Sequence, residues 1–272
     1  MTAVNKIYRT SLYLMFCTIL DAYQIYKVNH VNFINTLLHL QTTSCVFMDC
    51  LFSNSQIYIK GSNTTMIVFS SSVWTGRQNR SIIIKGCRTV HFSKSKFINI
   101  SCLRDKKFSL QNNFKVIIKS CLFFDFRAKC AFIIEKSDFI GFNNMTILNT
   151  KVPIIPNKTP QYALFSVIKS KLLIIASSHF HNISTSAVKL SGILDTRFIN
   201  TTFICCVCPV RITIYLIQSD IRFLLSGSSF ISCLCKSSGG SLQLILMNAV
   251  NQVKDKKSIK QSEHNIIQLS ID

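Results

Sequence analysis

The sequence predicts an all-β chain folded as a parallel β-helix (solenoid), with about eight or nine coils and a C-terminal cap. Three observations carry that prediction. A Phe-x-Asn unit recurs: Phe33-Ile34-Asn35, Phe52-Ser53-Asn54, Phe97-Ile98-Asn99, Phe180-His181-Asn182 and Phe198-Ile199-Asn200 each follow a short strand-like run. Taking Phe52, Trp74, Phe97, Phe123, Ile147, Phe180, Phe203 and Phe230 as equivalent positions gives steps of 22, 23, 26, 24, 33, 23 and 27 residues. Finally, a unit of this length with short strands and no helix cannot close a core alone, but it can when stacked on its neighbours. Phe97 would then lie over Trp74 and under Phe123.

In chain order, residues 1–28 form the lead-in. Lys6 and Arg9 precede an apolar run from Leu12 to Leu20, followed by Asp21-Ala22. A basic start, an apolar run of this length and a small residue after it have the pattern of a secretory signal peptide. An uncleaved anchor or an ordinary first strand are the alternatives, and the run is short for a membrane span of about 20 residues. Any membrane contact would come from an uncleaved N-terminal segment or from a partner region outside this sequence.

Residues 29–253 are the repeat domain. Strands are expected at Gln56–Lys60, Thr65–Phe69, Ser81–Lys85, Thr89–Phe92, Lys115–Lys119, Ala131–Glu135, Leu164–Ile168, Lys171–Ile175, Ala187–Leu190, Arg211–Leu216 and Asp220–Leu224. They are rich in Ile, Val and Phe and end at Lys, Ser, Asn or Gly. With 8 Gly and 4 Pro in 272 residues, the corners must use Asn, Asp and Ser, which tolerate left-handed backbone. The stretch 151–161 holds Pro153, Pro156 and Pro160, which central strands reject, so it reads as a loop insertion. Residues 241–253 read as a capping helix or final strand pair, and 254–272 as a mobile basic tail.

The Phe-x-Asn units, with one Gly239-Gly240-Ser241-Leu242 element, resemble the right-handed β-helix (pectin-lyase-like) superfamily. More narrowly, they are similar to polymorphic outer-membrane-type repeat proteins. The likeness covers roughly residues 31–250. It implies a secreted or surface-exposed solenoid, and in many members it implies cleavage of acidic polysaccharides.

The residues give that enzymatic implication no constellation. Glycosidases need two carboxyl groups flanking the bond. The acids here are scattered, and Glu135 and Asp138 are the only close pair in the repeat region. His179 and His181 would point to one outer face of a strand but have no carboxylate or Cys beside them. No metal or cofactor is expected. The cysteine cluster Cys205-Cys206-x-Cys208 with Cys233-x-Cys235 has gaps too short for an ordinary zinc site. In a secreted chain, Cys208 could bridge Cys233 or Cys235, and Cys102 could bridge Cys121 or Cys130. The alternative is free thiols stacked inside the coils.

Sequons at Asn63, Asn79, Asn99, Asn144, Asn157, Asn182 and Asn200 exceed the chance expectation of roughly 3 to 4. They are glycosylation candidates if the chain is secreted, and plain turn residues otherwise. A formal charge of +20 attracts polyanions, although Lys on strand edges also guards against aggregation. No nucleic-acid module is present and the aromatics are committed to the core, which disfavours nucleic acid. An acidic glycan or anionic cell surface is the better partner, with Lys94, Lys96, Lys115, Lys119, Lys136, Lys169 and Lys171 forming rows along the flat faces. The leading functional reading is a secreted or cell-surface, non-enzymatic structural or adhesive ectodomain that binds such a ligand. The alternatives are a polysaccharide lyase or glycoside hydrolase of the same fold, and an intracellular or viral basic scaffold.

Overall fold

The computed structural model describes residues 6–8, 11–14, 25–41, 44–77, 82–102, 108–128, 130–150, 163–184, 186–207, 210–215, 222–233 and 242–247. Among these residues every regular element is a β-strand. The strands form three parallel sheets, and the chain visits the sheets in turn. Sheet A stacks Lys6–Tyr8, Asn32–Ile34, Leu51–Ser53, Val73–Arg77, Lys96–Cys102, Leu122–Phe124, Thr146–Thr150, His179–Ile183, Thr202–Ile204 and Ser229–Ile231. A short strand, Arg127–Ala128, also pairs with Lys96–Cys102. Sheet B runs from Ser11–Leu14 to Leu242–Met247, and sheet C from Ile25–Asn29 to Arg222–Ser226. Three strands per coil, each paired in parallel with its equivalent above and below, make a parallel β-helix.

The rung count differs slightly from the eight or nine coils expected. Lys6–Tyr8 pairs with Asn32–Ile34, and Ser11–Leu14 with Leu37–Gln41, so backbone in the lead-in segment joins the stack. At the other end Leu242–Met247 continues sheet B beside Val210–Tyr215, so a strand occupies part of the stretch read as a cap. The insertion at 151–161 and the tail at 254–272 lie outside the described residues.

Alternation places the core. In Lys115–Lys119, Val116 and Ile118 are buried while Lys115, Ile117 and Lys119 face out. Phe33, Phe52, Trp74, Phe97, Phe123, Ile147, Phe180, Phe203 and Phe230 pair one above the next in sheet A, in the alignment read from the sequence. Their rings stack: Phe33–Phe52 at 4.9 Å, Phe52–Trp74 at 4.2 Å, Phe97–Phe123 at 4.6 Å and Phe180–Phe203 at 4.7 Å between centroids. Such offset pairs each contribute about 0.5–1.5 kcal/mol beyond the burial of their area. A second inward column runs up sheet C through Phe47, Phe69, Phe92, Ile118, Phe142, Ile175 and Phe198. Phe198-Ile199-Asn200 belongs to this second column, not to the first.

The corners explain the Asn. Leaving sheet A, the residue two past the inward apolar side chain has positive φ in coil after coil: Asn35, Asn54, Asn99, Asp125, Asn149 and Asn182 lie between 48° and 55°. Leaving sheet C, Asp49, Ser71, Lys94, Ser120, Asn144, Ser177 and Asn200 do the same. Left-handed backbone costs most L-residues roughly 1–2 kcal/mol, and Asn or Asp least, because a short polar side chain bonds locally. Asn54 Nδ2 donates to Asn35 Oδ1 at 2.7 Å, and Asn182 Nδ2 to Asn149 Oδ1 at 2.9 Å, forming short side-chain ladders along the corner.

The next residue turns inward and is often small and polar. Ser95 Oγ donates to Ser93 O at 3.1 Å and lies 3.3 Å from Phe69 O of the coil below. Cys50 fills the same niche, with Sγ 3.3 Å from Met48 O and 3.4 Å from Val28 O. Thiol and hydroxyl are interchangeable here because both are small groups that reach the same two carbonyl positions, one on their own coil and one on the coil below.

A candidate basic edge at the corner between sheets B and C

The corner from sheet B into sheet C gathers the most varied outward side chains. Its left-handed position holds Gly86, Asn112, Lys136, Lys169 and Gly192 on successive coils. The first four are fixed by a backbone bond to the coil above: Gly86 N to Gln111 O at 3.0 Å, Asn112 N to Glu135 O at 2.9 Å, Lys136 N to Ile168 O at 2.9 Å and Lys169 N to Ser191 O at 2.8 Å. The following position is a buried anchor. Asn113 accepts from Cys87 N at 2.9 Å and donates to Ile84 O at 3.2 Å. The position after that turns outward again and carries Arg88, Phe114, Asp138 and Lys171.

These columns enclose an open concavity of about 500 Å³ lined by Asn63, Arg88, Asn112, Asn113, Phe114, Lys136 and Asp138. Phe114 is 58% exposed, the most exposed of the large apolar side chains described. Lys115, whose N donates to Arg88 O at 3.0 Å, borders the site and sets its ammonium 5.3 Å from the Phe139 ring centre. Lys171 pairs with Asp138 at 3.0 Å. An exposed pair of this kind contributes about 0–1 kcal/mol. A second ion pair joins Arg197 to Asp195 at 2.7 Å, where Arg197 holds the carboxyl below its ordinary range.

The seven lysines singled out in the sequence therefore fall into two groups. Lys115, Lys136, Lys169 and Lys171 lie at the B–C corner. Lys94, Lys96 and Lys119 lie across sheet C at its other edge, where Lys94 N donates to Lys119 O at 3.0 Å. The sequence missed Arg88 and Phe114.

The carboxylates are dispersed. Asp49 and Asp125 are corner residues with positive φ, Glu135 faces out from sheet B, Asp138 is paired with Lys171, and Asp195 is paired with Arg197. Among the described residues no group of three or more His, Cys, Asp or Glu converges on one point. His179 and His181 are both exposed on sheet A.

Asn63, Asn99, Asn144, Asn182 and Asn200 are all exposed. Of these, Asn99, Asn144, Asn182 and Asn200 have positive φ, so the corner geometry alone is a sufficient reason for Asn there. Asn79 and Asn157 lie outside the described residues.

Cys121, Cys205, Cys206 and Cys233 are free thiols, as are Cys45, Cys50 and Cys87. Burial pushes the Cys45 and Cys121 thiols up to about 11 and that of Cys87 up to about 12, which makes them poor nucleophiles. Cys102 and Cys130 lie on strands of sheets A and B, with only their backbone described, and Cys208 and Cys235 lie outside the described residues.

No family model, no curated protein and no solved structure matches this chain.

Proposed function

We propose that the chain is a non-enzymatic, secreted or cell-surface β-helix scaffold whose B–C edge holds an extended polyanion such as an acidic glycan. The observation that carries this reading is the basic column on consecutive coils, Lys136 and Lys169, beside Arg88 and Lys115 around the exposed Phe114. Parallel rungs are about 4.8 Å apart, and like charges at that spacing repel. A stack that keeps them is less stable than one with neutral corners, and a bound polyanion would offset the repulsion. A large aromatic face among amide and cationic donors has the mixed character of a ligand site. Kinship with the pectin-lyase-like superfamily would fit this role, and what supports it is the resemblance of the Phe-x-Asn units together with the parallel β-helix.

The test is binding of a sulfated polysaccharide and of a neutral one of equal length, measured at several salt concentrations. The reading predicts binding of the sulfated polymer alone, weakened by salt. It also predicts that Lys136→Ala/Lys169→Ala weakens binding at least as much as Lys94→Ala/Lys119→Ala across the sheet. Equal binding of the neutral polymer, or no effect of the B–C pair, would sink it.

A second reading, an intracellular basic scaffold, is favoured by the free thiols in hydroxyl niches. Intact mass after expression in secretory cells separates the two. Glycan mass at the sequons and loss of about 22 leading residues support the secreted form, and an unmodified full-length product supports the intracellular one.

A further inference from the structure

Cys206 and Cys233 stand three residues beyond Phe203 and Phe230, which pair in register. They therefore hold one corner position on consecutive coils. Cys206 Sγ lies 3.3 Å from Ile204 O and 3.4 Å from Phe180 O. Cys233 Sγ repeats this one rung up, 3.4 Å from Ile231 O and 3.4 Å from Phe203 O. A rung of about 4.8 Å falls inside the roughly 4.4–6.8 Å Cα separation that a disulfide spans. Cys206 is 1% exposed whereas Cys233 is partly open to solvent.

The coil that Cys233 closes is the less well packed of the two. Phe223, Leu224 and Ile231 are 37%, 48% and 50% exposed. Their register partners one coil below, Thr196, Arg197 and Ile204, are less open: Thr196 is buried and the other two are half-buried.

We propose that Cys206 and Cys233 form a dithiol that reacts with a small disulfide such as oxidised glutathione, closing a covalent clip between consecutive coils. The Cys233 thiolate attacks one sulfur of the small disulfide, breaks its S–S bond and releases one thiolate. That thiolate takes the proton of Cys206. The Cys206 sulfur then attacks Cys233 Sγ of the mixed disulfide and expels the second small thiolate, which is protonated by solvent. Two protein thiols are oxidised and one small disulfide is reduced to two thiols. The direct interaction of the pair suits this order, because Cys206 holds the Cys233 thiol down to about 7 while its own is raised.

The niche supplies its own control. Ser55 occupies the same corner position, donating to Phe33 O at 2.9 Å and Ser53 O at 3.1 Å. Cys206→Ser and Cys233→Ser should therefore keep the fold, which circular dichroism checks.

The experiment incubates the full chain with oxidised and reduced glutathione over a range of ratios and maps cysteines by tandem mass spectrometry. The expected result is a Cys206–Cys233 link in the wild type and a stable glutathione adduct on Cys233 in Cys206→Ser. Oxidation should slow amide exchange over Arg222–Ile231 by roughly tenfold or more. A wild-type adduct that persists on Cys233, or a link from Cys233 to Cys205, Cys208 or Cys235 with Cys206 still reduced, would overturn the proposal. Polyanion binding at the B–C corner is a separate property, and neither result bears on it.

Discussion

Replacing Asn54 by Gly, Ala and Val isolates what the Asn of each Phe-x-Asn unit does. Its φ is 48°, and its Nδ2 donates to Asn35 Oδ1 at 2.7 Å on an exposed corner. Alanine loses that bond, about 0.5 kcal/mol at an exposed site, and takes on the left-handed penalty of about 1–2 kcal/mol. The expected cost is about 2 kcal/mol. Glycine loses the same bond but adopts the backbone freely, and the entropy it gains in the unfolded chain costs roughly 0.5–1 kcal/mol. Its total is about 1 kcal/mol. Valine should be worst, since β-branching makes the left-handed region still less accessible. The order Gly, then Ala, then Val reverses the usual advantage of Ala over Gly. Urea denaturation followed by circular dichroism measures it, supported by amide exchange at the corner, because solenoids need not unfold in a single step. If Asn54→Ala were as stable as Asn54→Gly, the corner would not require left-handed backbone and the explanation of the motif would fail.

Two further perturbations probe the interior and the outer face. Trp74 is fully buried and its Nε1 has no hydrogen-bond partner. Trp74→Phe should cost under about 1.5 kcal/mol, because it removes an orphaned donor and restores the residue most common in that column, while Trp74→Ala should cost about 3–5 kcal/mol. Equal losses in denaturation midpoint would refute that account. His91 has a buried, unpartnered Nε2, and burial together with Lys119 and Lys115 lowers its pKa below 6.5. The unfolded chain then takes up the proton first as pH falls, so the contribution of His91 to stability should drop from pH 6.5 downward and stay level above it. In His91→Val, which matches the paired Val68, part of that acid sensitivity should vanish; an unchanged slope between pH 8 and 5.5 would contradict the assignment.

Much of the fold could be read from the sequence because a solenoid repeats its constraints. The column through Phe52, Trp74, Phe97 and Phe123 was legible from spacing alone, since one large inward residue per coil must stay in register. Lys115–Lys119 and Gln56–Lys60 show plain alternation and appear as strands with those bounds. The sheet C column was harder to see, because Ile118 and Ile175 interrupt its Phe series. The site was less legible still. At the B–C corner the ordinary hydropathy rule inverts: polar Asn113 is buried to satisfy Cys87 N and Ile84 O, and apolar Phe114 is left exposed. No periodicity marks such a corner, so the sequence singled out neither Phe114 nor Arg88. The cysteines left bridges and free stacked thiols both open, and the corner niche accounts for their placement: Cys50, Cys206 and Cys233 sit where other coils place Ser or Thr.

The most direct test of the stacked-coil account is excision of one coil. Thr89 pairs with Lys115, so deleting residues 89–114 joins equivalent positions and brings Trp74 onto Phe123. Deleting residues 89–101 removes part of a coil and joins positions that are not equivalent. Trp74, the single tryptophan, reports the outcome through emission and quenching, alongside a circular dichroism melt. The account predicts that the full-coil deletion folds cooperatively with Trp74 shielded, and that the shorter deletion loses both properties. If the full-coil deletion unfolds while the shorter one stays folded, or if both unfold alike, the coils are not the interchangeable units proposed here.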